Sequence, residues 1–191
     1  MNSNLKNGEV ILTHKGTVPL ETDRLILRKL TREDSRKVFE NWTCDSEVSK
    51  FMRWDTHASV DVTGEWLKEC EKAAAEPTFY DWGIILKEIN EPIGSIGAFV
   101  NDEKINRYEV GYALSRKYWN RGITTEALKC MMDFLVNEVG VKHFIAKHAV
   151  ENPASGAVMK HVGFAYSKNG RYASFSGLRE FECCEYILDL V

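Results

Sequence analysis

Hydrophobic and polar positions alternate most clearly at the start of the folded region. Across Leu20–Leu30, Leu25 and Leu27 alternate with Arg24, Ile26 and Arg28, a period of two that predicts a first strand. The period then lengthens. Thr31 is placed to cap a helix with Glu33 and Asp34 in its first turn and Val38, Phe39 and Trp42 at helical spacing, ending near Asp45. A second helix is predicted from Ser59 to Ala75, stopped by Pro77, with Val62, Trp66, Leu67, Cys70 and Ala74 as its apolar face. Strands Tyr80–Lys87 and Pro92–Val100, joined by Glu88-Ile89-Asn90-Glu91, form a meander with Arg107–Leu114. Gly94 and Gly97 inside a strand imply a bulge or a close backbone neighbour. The strongest helical period is Ala127, Leu128, Met131, Met132, Leu135 and Val139, closed by Gly140. A strand over His143–Val150, a short helix over Asn152–Val162 closed by Gly163, and strands near Phe164–Ser167 and Phe181–Leu190 complete the chain.

This order predicts one mixed α/β (α+β) domain over residues 20–191, preceded by a leader, residues 1–19, whose one strand-like island is Val10-Ile11-Leu12. At 191 residues, 44% hydrophobic and 28% charged, the composition is that of an ordinary globular domain. A net charge of −3 without a basic stripe argues against nucleic-acid binding. No apolar run approaches the roughly 20 residues that span a bilayer, and the N-terminus has no signal-like apolar segment, so no membrane association and a cytoplasmic location are expected. The five cysteines (Cys44, Cys70, Cys130, Cys183, Cys184) form no C-x-x-C pair and read as reduced thiols. His143 and His148, five apart on a strand, point to opposite faces, so no metal site is expected.

One stretch carries chemistry. Tyr118-Trp119-Asn120-Arg121-Gly122-Ile123-Thr124-Thr125-Glu126-Ala127 reads as a tight polar loop opening a helix. The first helical turn has unpaired N–H groups and the positive end of the macrodipole, and Arg121 adds a formal charge, which together make a seat for a phosphate.

Four blocks in order, T-D-R-L-I-L-R (Thr22–Arg28), E-V-G-Y-A-L (Glu109–Leu114), W-N-R-G-I-T-T-E-A (Trp119–Ala127), and E-N-P-A-S with G-F (Glu151–Ser155, Gly163-Phe164), resemble the GNAT superfamily of acetyl-CoA-dependent N-acetyltransferases. Within it they are similar to the branch of ribosomal-protein N-terminal acetyltransferases, from residue 20 onward. The resemblance implies a largely antiparallel central sheet of about seven strands flanked by about four helices, splayed between the fourth and fifth fold strands. The family's pyrophosphate motif, Q/R-x-x-G-x-G/A, falls on Trp119 to Thr124, which implies that Trp119, Asn120, Arg121, Gly122, Ile123, Thr124 and Thr125 hold coenzyme A. Asn120, where the branch has Gly, and Thr124, where it has Gly or Ala, depart from the pattern. The Thr124 side chain either crowds the phosphate or donates to it; the small, rotatable hydroxyl favours donation.

The resemblance also implies that the backbone of Tyr112, Ala113 and Leu114 binds the pantetheine arm, with Asn152 as a further partner unless it serves only as a helix cap. Acetyl transfer needs a neutral amine, an oxyanion stabiliser and a proton for the departing thiolate. Glu109 is the candidate base, with a structural ion pair as the equal alternative and Glu182 as a competitor. The superfamily's usual acid, a Tyr seven residues after the motif Asn, is Met159 here. Ser155 takes its place as candidate acid, with helix capping as the alternative role. Trp54, Trp66, Phe79, Tyr80 and Trp82 stand either in the acceptor pocket or in the core. The expected function is therefore transfer of an acetyl group from acetyl-CoA, as cosubstrate, to a primary amine by direct transfer in a ternary complex. The acceptor is a small molecule or a protein N-terminus. A non-catalytic acetyl-CoA/CoA-binding sensor or complex subunit is the alternative, and homodimers are common in the family.

Overall fold

Leu25 and Leu27, the inward positions of the first alternating stretch, are fully buried in the strand they were expected to form, β4 (Leu25–Arg28). The computed structural model describes residues 12–190 and the backbone of a small antiparallel pair, β1 (Leu5–Lys6) and β2 (Glu9–Val10). Of the island Val10-Ile11-Leu12, Ile11 lies outside the described residues. Residues 12–18 run along the domain. Thr13 N donates to Val139 O, Gly16 N to Pro77 O, and the buried Thr17 hydroxyl donates to Phe79 O while accepting from Asp81 N.

Eight strands form the main sheet: β3 (Leu20–Glu21), β4, β5 (Tyr80–Leu86), β6 (Glu91–Asp102), β7 (Arg107–Leu114), β8 (His143–Ala149), β10 (Glu180–Asp189) and β9 (Ala165–Ala173), in that spatial order. Every neighbouring pair is antiparallel except β7 and β8. The two-residue β3, hydrogen-bonded at the edge, is the strand that the sequence period did not separate from β4. Five α-helical segments flank the sheet: α1 (Ser35–Val38), α2 (Ser46–Ser49), α3 (Val60–Ala73), α4 (Ile123–Phe134) and α5 (Pro153–His161). One face packs Leu25, Trp82, Ile84, Ile96 and Tyr108 against Ala127, Leu128 and Met131 of α4. The other packs Ile85 and Ala113 against Val38, Trp42 and Leu67 beside α1 and α3.

Where the chain departs from its sequence pattern, a specific contact accounts for it. The first helical stretch tightens over Arg32–Asp34 and widens over Phe39–Thr43, and Asp45 begins α2 by accepting from Glu47 N. On α3, Val62 is exposed, while Thr63 and Gly64 are buried. The Thr63 hydroxyl is needed inside, 3.0 Å from Thr43 Oγ1 and 2.8 Å from His57 Nδ1. Gly64 faces α1, where a Cβ would lie at an ordinary contact distance, 3.4 Å, from Ser35 Oγ. Tyr80 and Trp82 are core residues facing α4, not pocket lining. β9 runs through Asn169-Gly170 instead of stopping near Ser167, because each residue there has a cross-strand partner in β10. Gly94 and Gly97 meet both expectations for glycine in a strand: the β5–β6 register shifts beside Gly94, and a Cβ on it would lie 2.3 Å from Ala113 O.

The feature that positions the site is the junction of β7 and β8. Their ladder runs from Arg107↔His143 to Val110↔Ala146 and stops, although β7 continues to Leu114 and β8 to Ala149. The two strands part there and leave an open seam in the middle of the sheet. In strand count from β4 onward this is the fourth against the fifth strand.

Candidate active site

At the mouth of the seam, the chain leaves β7 and turns into α4 through residues 115–122. Two left-handed residues make the turn, Asn120 with φ of 58° and Gly122 with φ of 71°. Asn is the side chain after glycine that best tolerates this region, so Asn120 fits where the family motif has glycine. Gly122 is the N-cap and brings no side chain to the helix end. Glu126 N is the first amide to find an intrahelical acceptor, Gly122 O at 3.0 Å, so the N–H groups of Ile123, Thr124 and Thr125 are the unpaired donors of the first turn. Their dipoles and N–H groups suit an anion. Trp119 fastens the loop back onto the strand by donating Nε1–H to Leu114 O at 2.8 Å, and Arg121 packs over the Tyr118 ring.

The loop is held from the first strand by residues whose roles the sequence reading did not assign. Arg24 donates through Nε to Glu126 Oε2 at 2.7 Å and through Nη1 to Arg121 O at 3.0 Å. The Thr22 hydroxyl donates to Glu126 Oε1 at 2.5 Å. Burial opposes ionisation of Glu126, but the hydrogen bonds from Thr22 and Arg24 outweigh it and hold the carboxyl below the usual range. All three lie inside the two quoted motif blocks; the signal was their co-occurrence.

Deeper in the seam, Asn152 caps α5 by accepting from Ser155 N at 3.4 Å. The cap is therefore Asn152, and Ser155 is free of that task. The Ser155 hydroxyl instead meets the phenol of Tyr112 at 3.0 Å, and the same phenol donates to Ser155 O at 2.9 Å. Tyr112 thus spans the open seam from β7 to α5 with its side chain. Met159, on the same helix, is buried, 1% exposed.

Glu109 sits one residue before the ladder ends, at the apex of the seam, and is 6% exposed. Its carboxylate accepts from Lys147 Nζ at 2.9 Å, Asn101 Nδ2 at 3.1 Å and Arg53 Nη2 at 3.3 Å. Glu109 and Tyr112 are on opposite pleats of β7, so a group lying in the seam is reached from both sides of the sheet. Glu182 is not part of this constellation: its side chain is 75% exposed and pairs with Arg171 at 3.4 Å. Beside Glu109 lies Gly111, where a Cβ would meet nothing within 4 Å.

The wall facing Glu109 is the 49–58 segment, locked to the β9–β10 hairpin by Arg179. That guanidinium donates to the carbonyls of Ser49, Lys50, Met52 and Trp54 and to Asp55 Oδ1 at 2.7 Å. Trp54 and Trp66 flank the His57 ring edge-on, each with centroids 5.8 Å away. Burial lowers the His57 pKa, which favours the neutral ring.

An anion seat at the mouth, an open seam wide of β-ladder partners and hydroxyl and carboxylate groups at its sides suit a long cosubstrate with a pyrophosphate at one end and a reactive thioester at the other. Comparison with known proteins agrees. The profile of the acetyltransferase (GNAT) domain family matches residues 24–165. The uncharacterized N-acetyltransferase p20 of Bacillus licheniformis is 30% identical over 145 residues, 76% of this chain and 81% of that protein. The crystal structure of a GNAT-family acetyltransferase from Bacillus anthracis superposes with a TM-score of 0.76 at 22% identity, covering 90% of this chain and 98% of that one. RimL, the ribosomal L7/L12 α-N-protein acetyltransferase solved with coenzyme A, gives 0.78 at 16% identity over 91% and 98% of the two chains. The chain belongs to the GNAT acetyltransferase family and is an acetyl-CoA-dependent N-acetyltransferase.

Proposed function

We propose that this enzyme transfers the acetyl group directly to a primary amine in a ternary complex, with the thioester lying in the β7–β8 seam. The observation that carries this reading is the end of the ladder at Val110↔Ala146, which leaves an opening flanked by Glu109 at its apex and Ser155 on α5. The amides of Ile123, Thr124 and Thr125, with the Asn120 and Gly122 turn, Trp119 and Arg121 shaping the loop, hold the pyrophosphate. The backbone of Tyr112, Ala113 and Leu114, beyond the end of the β7–β8 ladder, and the amide of Asn152 hold the pantetheine arm. Glu109 keeps acceptor capacity on Oε1, which takes only the Arg53 bond, and receives the amine proton directly or through one water. The Ser155 hydroxyl protonates the departing sulfur. Positioning of an already activated thioester supplies much of the remaining rate.

The charges in the groove narrow the acceptor. Arg53 and Lys147 both rest on the buried Glu109, so two sheltered cations face one carboxylate at the apex of the seam. A shielded surplus of positive charge favours an acceptor carrying an anion beside its amine, such as an amino acid or an acidic N-terminal peptide, over a polyamine. The test is CoA release with a panel of amino acids, acidic and basic peptides and polyamines, alongside thermal stabilisation by acetyl-CoA. The expected result is a raised Tm and turnover concentrated among anionic acceptors. Cofactor binding without turnover of any amine would overturn the reading, and preference for polyamines would overturn its acceptor class.

A further inference from the structure

Tyr112 is the one phenol that crosses the seam, and its single proton has two acceptors within reach, Ser155 O at 2.9 Å and Ser155 Oγ at 3.0 Å. The choice between them sets the direction of the serine hydroxyl. With the phenol proton on the carbonyl, Ser155 points its own proton at Tyr112 Oη. With the phenol proton on Oγ, the Ser155 proton is released from the phenol and turns into the seam. No other hydroxyl is recorded on Ser155, and Asn152 occupies its backbone N–H, so the phenol is the one side chain controlling this switch among the described residues. We propose that Tyr112 is a positioning residue for acetyl transfer, orienting the Ser155 hydroxyl toward the thioester sulfur and replacing the proton that Ser155 gives up.

The inference rests on the reading of Ser155 as the acid. In the step, the amine nitrogen forms its bond to the thioester carbon and the C–S bond breaks with its electron pair on sulfur. Ser155 Oγ–H passes its proton to sulfur as Tyr112 Oη–H passes its proton to Oγ, so the serine never carries a full charge. The tyrosinate left behind regains a proton from solvent, to which Glu109 releases the one it took from the amine. No oxidant or further reactant is needed, and the products are the amide and the CoA thiol. Burial pushes the Tyr112 phenol up to about 12 while the Ser155 bond pulls the other way, so at working pH the phenol rests protonated and its tyrosinate recaptures a proton at once. The packing is compatible with a hydroxyl switch, because the Ser155 backbone is held by the Asn152 cap and the switch needs only rotation of the serine O–H about Cβ–Oγ and of the phenol O–H.

Two variants test it: Tyr112→Phe, which keeps the ring, and Ser155→Ala, with their double mutant. Each single change is expected to lower kcat about 100-fold with KM for acetyl-CoA within about threefold of wild type, and the double mutant to be no slower than the slower single one. Calorimetry supplies a readout independent of turnover. Both variants should weaken CoA, whose free thiol takes the serine bond, several-fold more than acetyl-CoA. A Tyr112→Phe enzyme with wild-type kcat, or losses that multiply in the double mutant, would overturn the proposal; so would equal weakening of CoA and acetyl-CoA. If wild type turned over no amine, the proposed function would fail by itself, and the calorimetric comparison would still decide the role of Tyr112.

Discussion

The guanidinium of Arg24 lies against the carboxylate of Glu126, with Nε 2.7 Å and Nη2 2.6 Å from the same Oε2. The pair joins the start of the first long strand to the first turn of α4, and a further nitrogen of Arg24 reaches the loop carbonyl of Arg121. A carboxylate beside an anion seat repels the anion unless it is neutralised, and here Arg24 and Thr22 neutralise it. Arg24→Ala should therefore weaken CoA binding about tenfold by calorimetry, through both a looser loop and an unmasked Glu126. Arg24→Ala combined with Glu126→Gln should recover part of that loss, because the repulsive charge has gone.

The same carboxylate gives a pH signature. Glu126 and Asp34 are both held below the ordinary carboxylate range; each is opposed by burial, with Asp34 stabilised by Arg28 and the Thr31 backbone. A depressed folded-state pKa adds stability that is fully present above the unfolded value of about 4 and is lost as pH falls through the folded value. Acid unfolding should accordingly set in below about pH 4. Glu126→Gln should flatten that limb of the Tm profile, while leaving its neutral region lower by a small constant amount.

Asp81 runs in the opposite direction. Burial pushes its carboxyl up to about 7, and Cys70 beside it is pushed up to about 12 by burial and by the charge of Asp81. A raised acid pKa means the folded state holds the proton more tightly, so stability falls as pH rises from about 4 to 7. Asp81→Asn should stabilise the protein by about 1 to 2 kcal/mol at pH 8, less than three pK units would imply for a group without solvent contact, and by roughly a third of that at pH 5. Chemical unfolding at the two pH values measures it.

Glu109 pairs with two cations and is the proposed proton acceptor, and the two roles are separable. Glu109→Gln keeps the shape and strands the cations Lys147 and Arg53, so it should cost about 2 to 4 kcal/mol in stability and lower kcat at least 100-fold. Pairing it with Lys147→Met should restore much of the stability. If kcat returns with it, Glu109 is structural and the base lies elsewhere.

Arg179 binds four backbone carbonyls of one segment, an arrangement that fixes the 49–55 wall without touching the seam. Arg179→Ala should raise KM for the acceptor about tenfold and leave the CoA dissociation constant unchanged. Equal loss of both would mean that the wall and the cosubstrate seat are one cooperative unit.

The parts of this molecule legible from its sequence are those whose cause is local. The repeat from Ala127 to Val139 needs no distant partner to be a helix, and the glycines at 94 and 97 announce close backbone on their own. The seam's chemistry is long-range. Glu109 meets Arg53 and Lys147 across 56 and 38 residues of chain, and Tyr112 meets Ser155 across 43, so nothing near any of them in sequence signals the pairing. Tyr112 illustrates the difference well, because its backbone position was expected in the site while its hydroxyl was not. Val62 fails for a related reason: an apolar residue at helical spacing faces out because a threonine must face in to bond Thr43 and His57.

Gly111 carries a last consequence. Its backbone is not left-handed, and a Cβ there would meet no protein atom within 4 Å, so folding makes no demand for glycine at this point. Replacement by Ala should even stiffen the unfolded chain to the advantage of the native state, by about 0.4 to 1 kcal/mol. Any penalty in turnover then belongs to the guest molecule, not the host. A graded series of Ala, Ser and Val at residue 111 therefore asks where the acceptor lies: a KM for the acceptor that climbs with side-chain size puts it against this strand, and an unchanged KM puts it elsewhere.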